Sequence, residues 1–274
     1  MALGYSYETF ETLNWNWSGP KYKATFESRP FNQSASRYAF KGILNGKGAW
    51  NEEACVAKVF KKKYVGHVYK WHPDLSVSKK AFKFAKQFNS DCIPILNNYG
   101  DKMYKEIKVV VPFITKVKYL EGQSEIRECV EKYVAIEPFL DGNYTNFNSN
   151  IGYEDANYDL MLAFSHWTWS ISDHNFMVCD LHGIENKRKF VLTDPAVHSL
   201  EQKYGISDLG EAGMQIVLSN HSCNSLCRRL GLETEEYKQL FPPENCKSTV
   251  YRFELPEKIR ALDGTKRFLT ILPA

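Results

Sequence analysis

Apolar and polar positions change period several times along this chain. Glu53–Phe60 (EACVAKVF) is apolar on both faces apart from one lysine and reads as a buried strand. Lys79–Phe88 switches to a helical period, with Phe84 and Phe88 four apart and Ala81 and Ala85 beside them. Lys108–Phe113 and Tyr133–Phe139 read as further strands. An Asn- and Gly-rich loop from Asp141 to Gly152 then marks a seam. Beyond it Leu160, Phe164, Trp167 and Ile171 share one face of a helix. Phe176–Leu181 and Phe190–Thr193 read as a β-hairpin around a charged turn, and Glu211–Leu230 as helical, with short extended pieces at the end. The pattern is α+β rather than regular βαβ alternation.

The chain has 274 residues. That length fits one large domain or two closely packed lobes, the seam then dividing residues 1–140, rich in strands, from residues 141–274. A Ser-Gly-Pro break at Ser18–Pro20 interrupts the aromatic, polar opening. Hydrophobic residues make up 43% and charged residues 24%, ordinary for a globular protein. A formal charge of +3 is too small to imply nucleic-acid or membrane binding. The runs Lys61-Lys62-Lys63 and Lys79-Lys80 read as solvated faces. No apolar run approaches the roughly 18 residues of a membrane span, and the first residues lack a secretory signal. Seven cysteines, scattered except for one tight pair, argue for a reducing compartment and a cytoplasmic location.

Lys58 is the one charge in the strand at Ala54–Phe60. An ammonium there needs an anion beside it. A nucleotide phosphate, a structural ion pair, or a sheet-edge position that lets the side chain reach water each satisfies that need. Arg37 lies upstream in Ser36–Gly42, another strand-like segment. It follows the small polar run Asn32–Ser36, which reads as an ordinary turn or as a loop whose N–H groups could cover phosphates.

Two apolar strands each end in an aspartate, MVCD at Asp180 and VLTD at Asp194. Pairing symmetrically about Lys187 would set the two opposite each other, with Cβ atoms about 4.5–5.5 Å apart. Carboxylates that close repel unless a proton or cation lies between them, and Mg²⁺ uses one or two carboxylates plus substrate phosphates. The bland alternative is that each Asp caps a turn.

His221, Cys223 and Cys227 fall within seven residues, the two cysteines at a spacing that shares a helix face. These are zinc-ligand types, and a structural site takes four. Buried free thiols beside a surface histidine remain the alternative. His166, among Phe164, Trp167 and Trp169, could supply a fourth ligand, with His174, His182 and His198 as rivals.

The order of these pieces carries a resemblance. AFSHWTW at 163–169, MVCDLHG at 177–183, LTDPAVHS at 192–199, YGISDLG at 204–210 and HSCNSLC at 221–227 occur in series. Over about Phe31–Leu232 the chain resembles the alpha-kinase family, atypical protein kinases that include myosin heavy chain kinases, elongation factor 2 kinase and channel-fused kinases. The resemblance implies a two-lobed fold, with a nucleotide-binding N-terminal lobe and a catalytic, zinc-stapled C-terminal lobe. It implies ATP, Mg²⁺ and a structural Zn²⁺ as cofactors, and a protein phosphorylated on Ser or Thr as partner.

By position, the resemblance makes Lys58 and Arg37 phosphate-binding residues and places Glu137 near adenine. Asp180 becomes the catalytic aspartate and Asp194 the magnesium ligand. His166, His221, Cys223 and Cys227 become the zinc ligands, and Gly205–Gly213 a segment near the peptide. The chain departs from the family at His182, where a magnesium-binding glutamine is usual, at Asn146 for a lysine, and at Asp208 for an asparagine. Those changes bear on metal preference, turnover and substrate fit. They keep open a second reading: a pseudokinase, or a zinc-stabilised nucleotide-binding or interaction module with little phosphotransfer.

Overall fold

The computed structural model describes residues 5–12, 22–27, 29–34, 37–46, 51–61, 71–99, 102–120, 133–232, 251–254 and 268–271. Ser18–Pro20, Ala35, Ser36, Lys62 and Lys63 lie outside them. The chain divides into two compact units, one of residues 1–75 with 111–139 and one of residues 76–110 with 140–274. Among the described residues, no helix is long and apolar enough to cross a membrane.

In the first unit, β1 (Tyr5–Thr12), β2 (Tyr22–Phe26), β3 (Asn32–Gln33), β4 (Arg37–Gly46) and β5 (Ala54–Phe60) precede the opening turn of α1 (Trp71–Asp91). After α2 (Ile93–Asn98) and β6 (Glu106–Val109), which belong to the second unit, β7 (Phe113–Leu120) and β8 (Tyr133–Pro138) return to the first. The described strands form one antiparallel sheet in the order β2-β1-β7-β8-β5-β4-β3. Because β2 also pairs with β4, the sheet closes on itself, which removes the open edges that invite aggregation. One face buries Phe26, Phe40, Cys55, Ala57, Val59, Val134 and Ile136 together. On the other, Ala135 and Ile114 pack with Leu75 from α1.

The second unit continues with β9 (Tyr144–Asn146), α3 (Asp159–Ile171), β10 (Phe176–Cys179), β11 (His182–Glu185), β12 (Lys189–Thr193) and β13 (Ala196–Ser199). Two more helices, α4 (Gly210–Asn220) and α5 (Ser225–Arg229), are followed by the paired strands β14 (Tyr251–Glu254) and β15 (Phe268–Ile271). The sheet order is β6-β12-β11-β9, while β10 pairs separately with β13. Aromatics on α1 and α3 interlock over this sheet, Phe88 meeting Phe164 at 5.3 Å and Trp167 at 5.2 Å between ring centroids. Edge-to-face packing of this kind suits the ring quadrupoles.

Several sequence expectations need correction. The helix expected at Lys79–Phe88 runs from Trp71, because Pro73 is tolerated in a first turn where N–H groups lack helical partners. The strand expected at Lys108–Phe113 is two strands, β6 and β7, broken at Val110–Pro112 where proline cannot continue a ladder. Ile171 ends α3 in an exposed position rather than sharing the buried face of Leu160, Phe164 and Trp167. The helix expected over Glu211–Leu230 is interrupted at residues 221–224, so Cys223 precedes α5 and only Cys227 is helical. Lys80 is not simply solvated: its ammonium lies 3.7 Å from the Phe176 ring centroid, and burial lowers its pKa.

Candidate active site

Arg37, Lys58 and Glu137 sit on one face of the first unit's sheet. The register pairs Arg37 with Phe60, Ala39 with Lys58, Val56 with Glu137 and Lys58 with Ala135. Paired and alternate residues project to the same side. Lys58 and Glu137 are therefore diagonal neighbours, and the Lys58 ammonium forms an ion pair with the Glu137 carboxylate. Their side chains are 10% and 5% exposed, so each charge offsets the burial of the other. Arg37 instead donates from Nη1 to Asp74 Oδ2 at 3.1 Å, and its guanidinium lies 5.9 Å from the Phe60 centroid.

In the second unit the two aspartates mark a break in a long hairpin. On one side of it Cys179 pairs with Ala196, and on the other His182 pairs with Thr193. Counting inward, Asp180 faces Pro195 and Asp194 faces Leu181. The symmetric pairing expected about Lys187 is thus off by one residue, so Asp180 and Asp194 are not register partners. Asp180 has φ 55° and Asp194 φ 45°, left-handed values that end a strand. Pro195 adds to the break because it has no N–H to donate. The hairpin expected over Phe176–Leu181 and Phe190–Thr193 is therefore β11–β12, while β10 takes β13 as partner.

Asp180 is buried, and burial raises its pKa. The nearby imidazole of His182 opposes that rise and the charge on Asp194 adds to it. His182 Nδ1 lies 3.8 Å from Asp180 Oδ1, with the Tyr144 ring 5.7 Å from the imidazole. Gly183 follows for a steric reason: a Cβ there would overlap the Val191 carbonyl of the adjacent strand.

The backbone around Asp180 is held from three directions. Asn148 Oδ1 accepts from the Leu181 N–H at 2.8 Å, and Asn148 Nδ2 donates to Ser165 Oγ at 2.8 Å. The Leu181 carbonyl accepts from the Phe147 N–H at 2.8 Å. Ahead of Asp180, the Val178 N–H donates to Thr168 Oγ1 at 2.9 Å.

His166 from α3 meets His221, Cys223 and Cys227 from the α4–α5 segment, and one ligand atom of each lies within 4.8 Å of all the others. Cys223 Sγ is 3.6 Å from His166 Nδ1, and Cys227 Sγ is 3.5 Å from His221 Nε2. A tetrahedral zinc with ordinary Zn–S and Zn–N bonds sets such atoms about 3.6 Å apart. The donor set and its spacing therefore fit that ion. His221 donates from Nδ1 to Glu154 Oε1 at 2.6 Å, which leaves its Nε2 lone pair facing the cluster. Burial pushes the Cys227 thiol up to about 12, so a thiolate there needs a cation at hand.

The rival histidines are otherwise engaged. His174 stacks on Trp169 at 3.7 Å. His198 Nε2 donates to the Asn150 carbonyl at 2.8 Å and its Nδ1 accepts from the Leu209 N–H at 3.1 Å. Asp208, expected to alter the Gly205–Gly213 segment, accepts from Ser199 N (2.8 Å), Ser199 Oγ (2.6 Å), Tyr204 N (3.1 Å) and Gly210 N (3.0 Å). Asn146 lies in β9 opposite His182. Asn148 and Glu154 were not picked out from the sequence. Asn148 sits in the Asp141–Gly152 seam and Glu154 just beyond it, and the antiparallel bridge between them carries no hydrophobic signature.

A family model described as the alpha-kinase family matches residues 32–227. Alpha-protein kinase vwkA of Dictyostelium discoideum is 29% identical over 210 residues, 74% of this chain and 30% of the relative. Eukaryotic elongation factor 2 kinase of Rattus norvegicus is 26% identical over 234 residues, 81% of this chain and 29% of the relative. The chain thus spans about a third of the length of these curated relatives. The solved alpha-kinase domain of myosin-II heavy chain kinase A in complex with AMP-PNP superposes with a TM-score of 0.65 at 20% identity, over 86% of this chain and 98% of that one. The fold is that of these kinase domains, and with the family model matching well over half of its residues, the chain belongs to the alpha-kinase family.

Proposed function

We propose that this chain is a protein serine/threonine kinase that transfers the γ-phosphoryl group of ATP to a protein hydroxyl. The observation that carries the reading is the pair Asp180 and Asp194, both held at left-handed backbone angles at one break in the hairpin and close enough for the charge of one to raise the pKa of the other. Non-glycine residues hold such angles at a cost of about 1–3 kcal/mol, a strain that concentrates at functional sites.

Phosphoryl transfer asks a protein mainly to position groups and offset charge. Lys58 exchanges Glu137 for a nucleotide phosphate, and Glu137 keeps the ammonium aimed while the site is empty of nucleotide. Arg37 supports the phosphates from the same sheet face. Asp180 accepts a hydrogen bond from the attacking hydroxyl, and its burial keeps that carboxylate basic. Asp194 would hold Mg²⁺, with His182 in the place of a second ligand, and the ion would supply charge neutralisation at the phosphates. The mutual repulsion of the two carboxylates is what such a cation relieves.

His166, His221, Cys223 and Cys227 would hold Zn²⁺, and four protein ligands would give it a structural rather than a catalytic part. The function is tested by ATP-dependent phosphorylation of helical Ser/Thr peptides, with metal analysis of the same sample. Lys58→Ala and Asp180→Ala should each abolish transfer in folded protein, and undiminished activity in either would refute its assigned role.

A further inference from the structure

We infer that Asn148 is a positioning residue for Asp180, an inference that rests on the reading of Asp180 as the group that receives the substrate hydroxyl. Asn148 is 2% exposed and its side-chain amide is engaged at both ends, in a defined sense. Only an acceptor can meet the Leu181 N–H, so Oδ1 faces Leu181, and Nδ2 is turned to Ser165 Oγ. The Leu181 N–H belongs to the same peptide unit as the Asp180 carbonyl. Its direction therefore sets ψ of Asp180, at a residue whose φ of 55° is already outside the ordinary range. One peptide unit further along, the Leu181 carbonyl receives the N–H groups of Phe147 (2.8 Å) and Asn148 (3.4 Å). Both polar groups of Leu181, the residue that follows Asp180, are thus held by one short segment, while Thr168 holds Val178 ahead of it.

Asn148 is itself anchored twice to the Cys/His cluster. Ser165 precedes His166 on α3, and Asn148 forms an antiparallel bridge with Glu154, whose carboxylate receives the His221 ring proton. A leucine at 148 keeps the branched side-chain skeleton of asparagine with somewhat more bulk and no polar atom. It would leave the Leu181 N–H without an acceptor and free that peptide to rotate. The amide, rather than the volume it fills, holds the catalytic geometry.

The test compares the full chain with Asn148→Leu and Ser165→Ala, measuring kcat and KM for ATP together with zinc content and melting. A misplacement of a reacting group by about 1 Å costs on the order of 100-fold in rate. Asn148→Leu should lower kcat by that order while KM for ATP and zinc content stay put, because the phosphate-binding residues lie on other strands. Ser165→Ala keeps the Leu181 acceptor but frees its orientation, and should lower kcat severalfold. It carries the test if the leucine variant fails to fold. The double variant should be no slower than Asn148→Leu alone. An unchanged kcat in either single variant overturns the inference. A parent chain that transfers no phosphate sinks the kinase reading instead. The Asp180 carboxyl-carbon resonance then decides the positioning: a shift in Ser165→Ala supports it, and an unmoved resonance overturns it.

Discussion

The Nδ1–H of His221 reaches the Glu154 carboxylate at 2.6 Å, across 67 residues of sequence. That bond fixes the ring tautomer and presents Nε2 to Cys227. Partners of this kind orient a ligand and raise its basicity, and losing one costs about 10–100-fold in metal affinity. Glu154→Gln should therefore weaken zinc binding by that order. Competition against a chromophoric chelator measures it, and equal affinity in the two proteins would contradict the assignment. Chelation of the parent chain should lower its melting temperature, since binding free energy at such a site is also folding free energy.

Lys58 and Glu137 separate stability from activity. Removing one member of a buried ion pair strands the other charge, at a cost of about 3–5 kcal/mol. Lys58→Met should thus lower stability by that order and abolish phosphotransfer. The double variant Lys58→Met/Glu137→Leu should regain most of the stability, because two apolar groups replace the pair. It should regain no activity. Denaturant melts and an ATP-dependent assay on the three proteins check both halves, and recovered transfer in the double variant would remove Lys58 from the phosphate site.

How much of this site was legible in the sequence depended on the kind of signal. Lys58 stood out as a charge in an apolar strand, and the cluster stood out because histidine and cysteine recurred at close spacing. Asp180 and Asp194 were visible as strand ends, yet their pairing was misjudged by one residue. The turn closes between Asn186 and Lys189, which centres the hairpin between Lys187 and Arg188, and the same register holds on both sides of the break. Asn148 gave no signal at all, since a buried amide in a polar loop is told from a solvated one only by what packs around it. The same holds for Asp208, which reads as a loop residue and proves to be a convergence point for four hydrogen bonds.

His198 makes the second unit sensitive to acid. Burial lowers its pKa from 6.5, and the neutral ring is the form that both accepts from Leu209 and donates to Asn150. The charges of Asp208 and Asp180 oppose that lowering without reversing it. Below about pH 6.5 the unfolded chain takes up a proton that the folded ring refuses, so stability falls as the pH drops, by at most about 1.4 kcal/mol per unit from this group. Its contribution is complete above that pH. His198→Asn keeps an acceptor for the Leu209 N–H and cannot titrate, so its melting temperature should change less between pH 7.5 and pH 5.5 than that of the parent. Parallel curves would exclude His198 as a source of acid sensitivity.

Asp208 closes the loop that follows β13. Its two oxygens receive the N–H groups of Ser199, Tyr204 and Gly210 and the Ser199 hydroxyl, and it is 2% exposed. An asparagine there keeps one acceptor oxygen and turns the other into a donor. The Ser199 hydroxyl can reverse to accept from it, but the Tyr204 N–H cannot. One half-buried donor loses its partner, at a cost of about 1 kcal/mol, the lower end of the range for a buried one. Asp208→Asn should therefore destabilise the chain by that order, and Asp208→Ala by more, because every one of the donors then loses its acceptor. Urea unfolding at neutral pH measures both. Equal stability in the parent and Asp208→Asn would show that the carboxylate is not needed to hold the loop, and that the family's usual asparagine serves this position equally well.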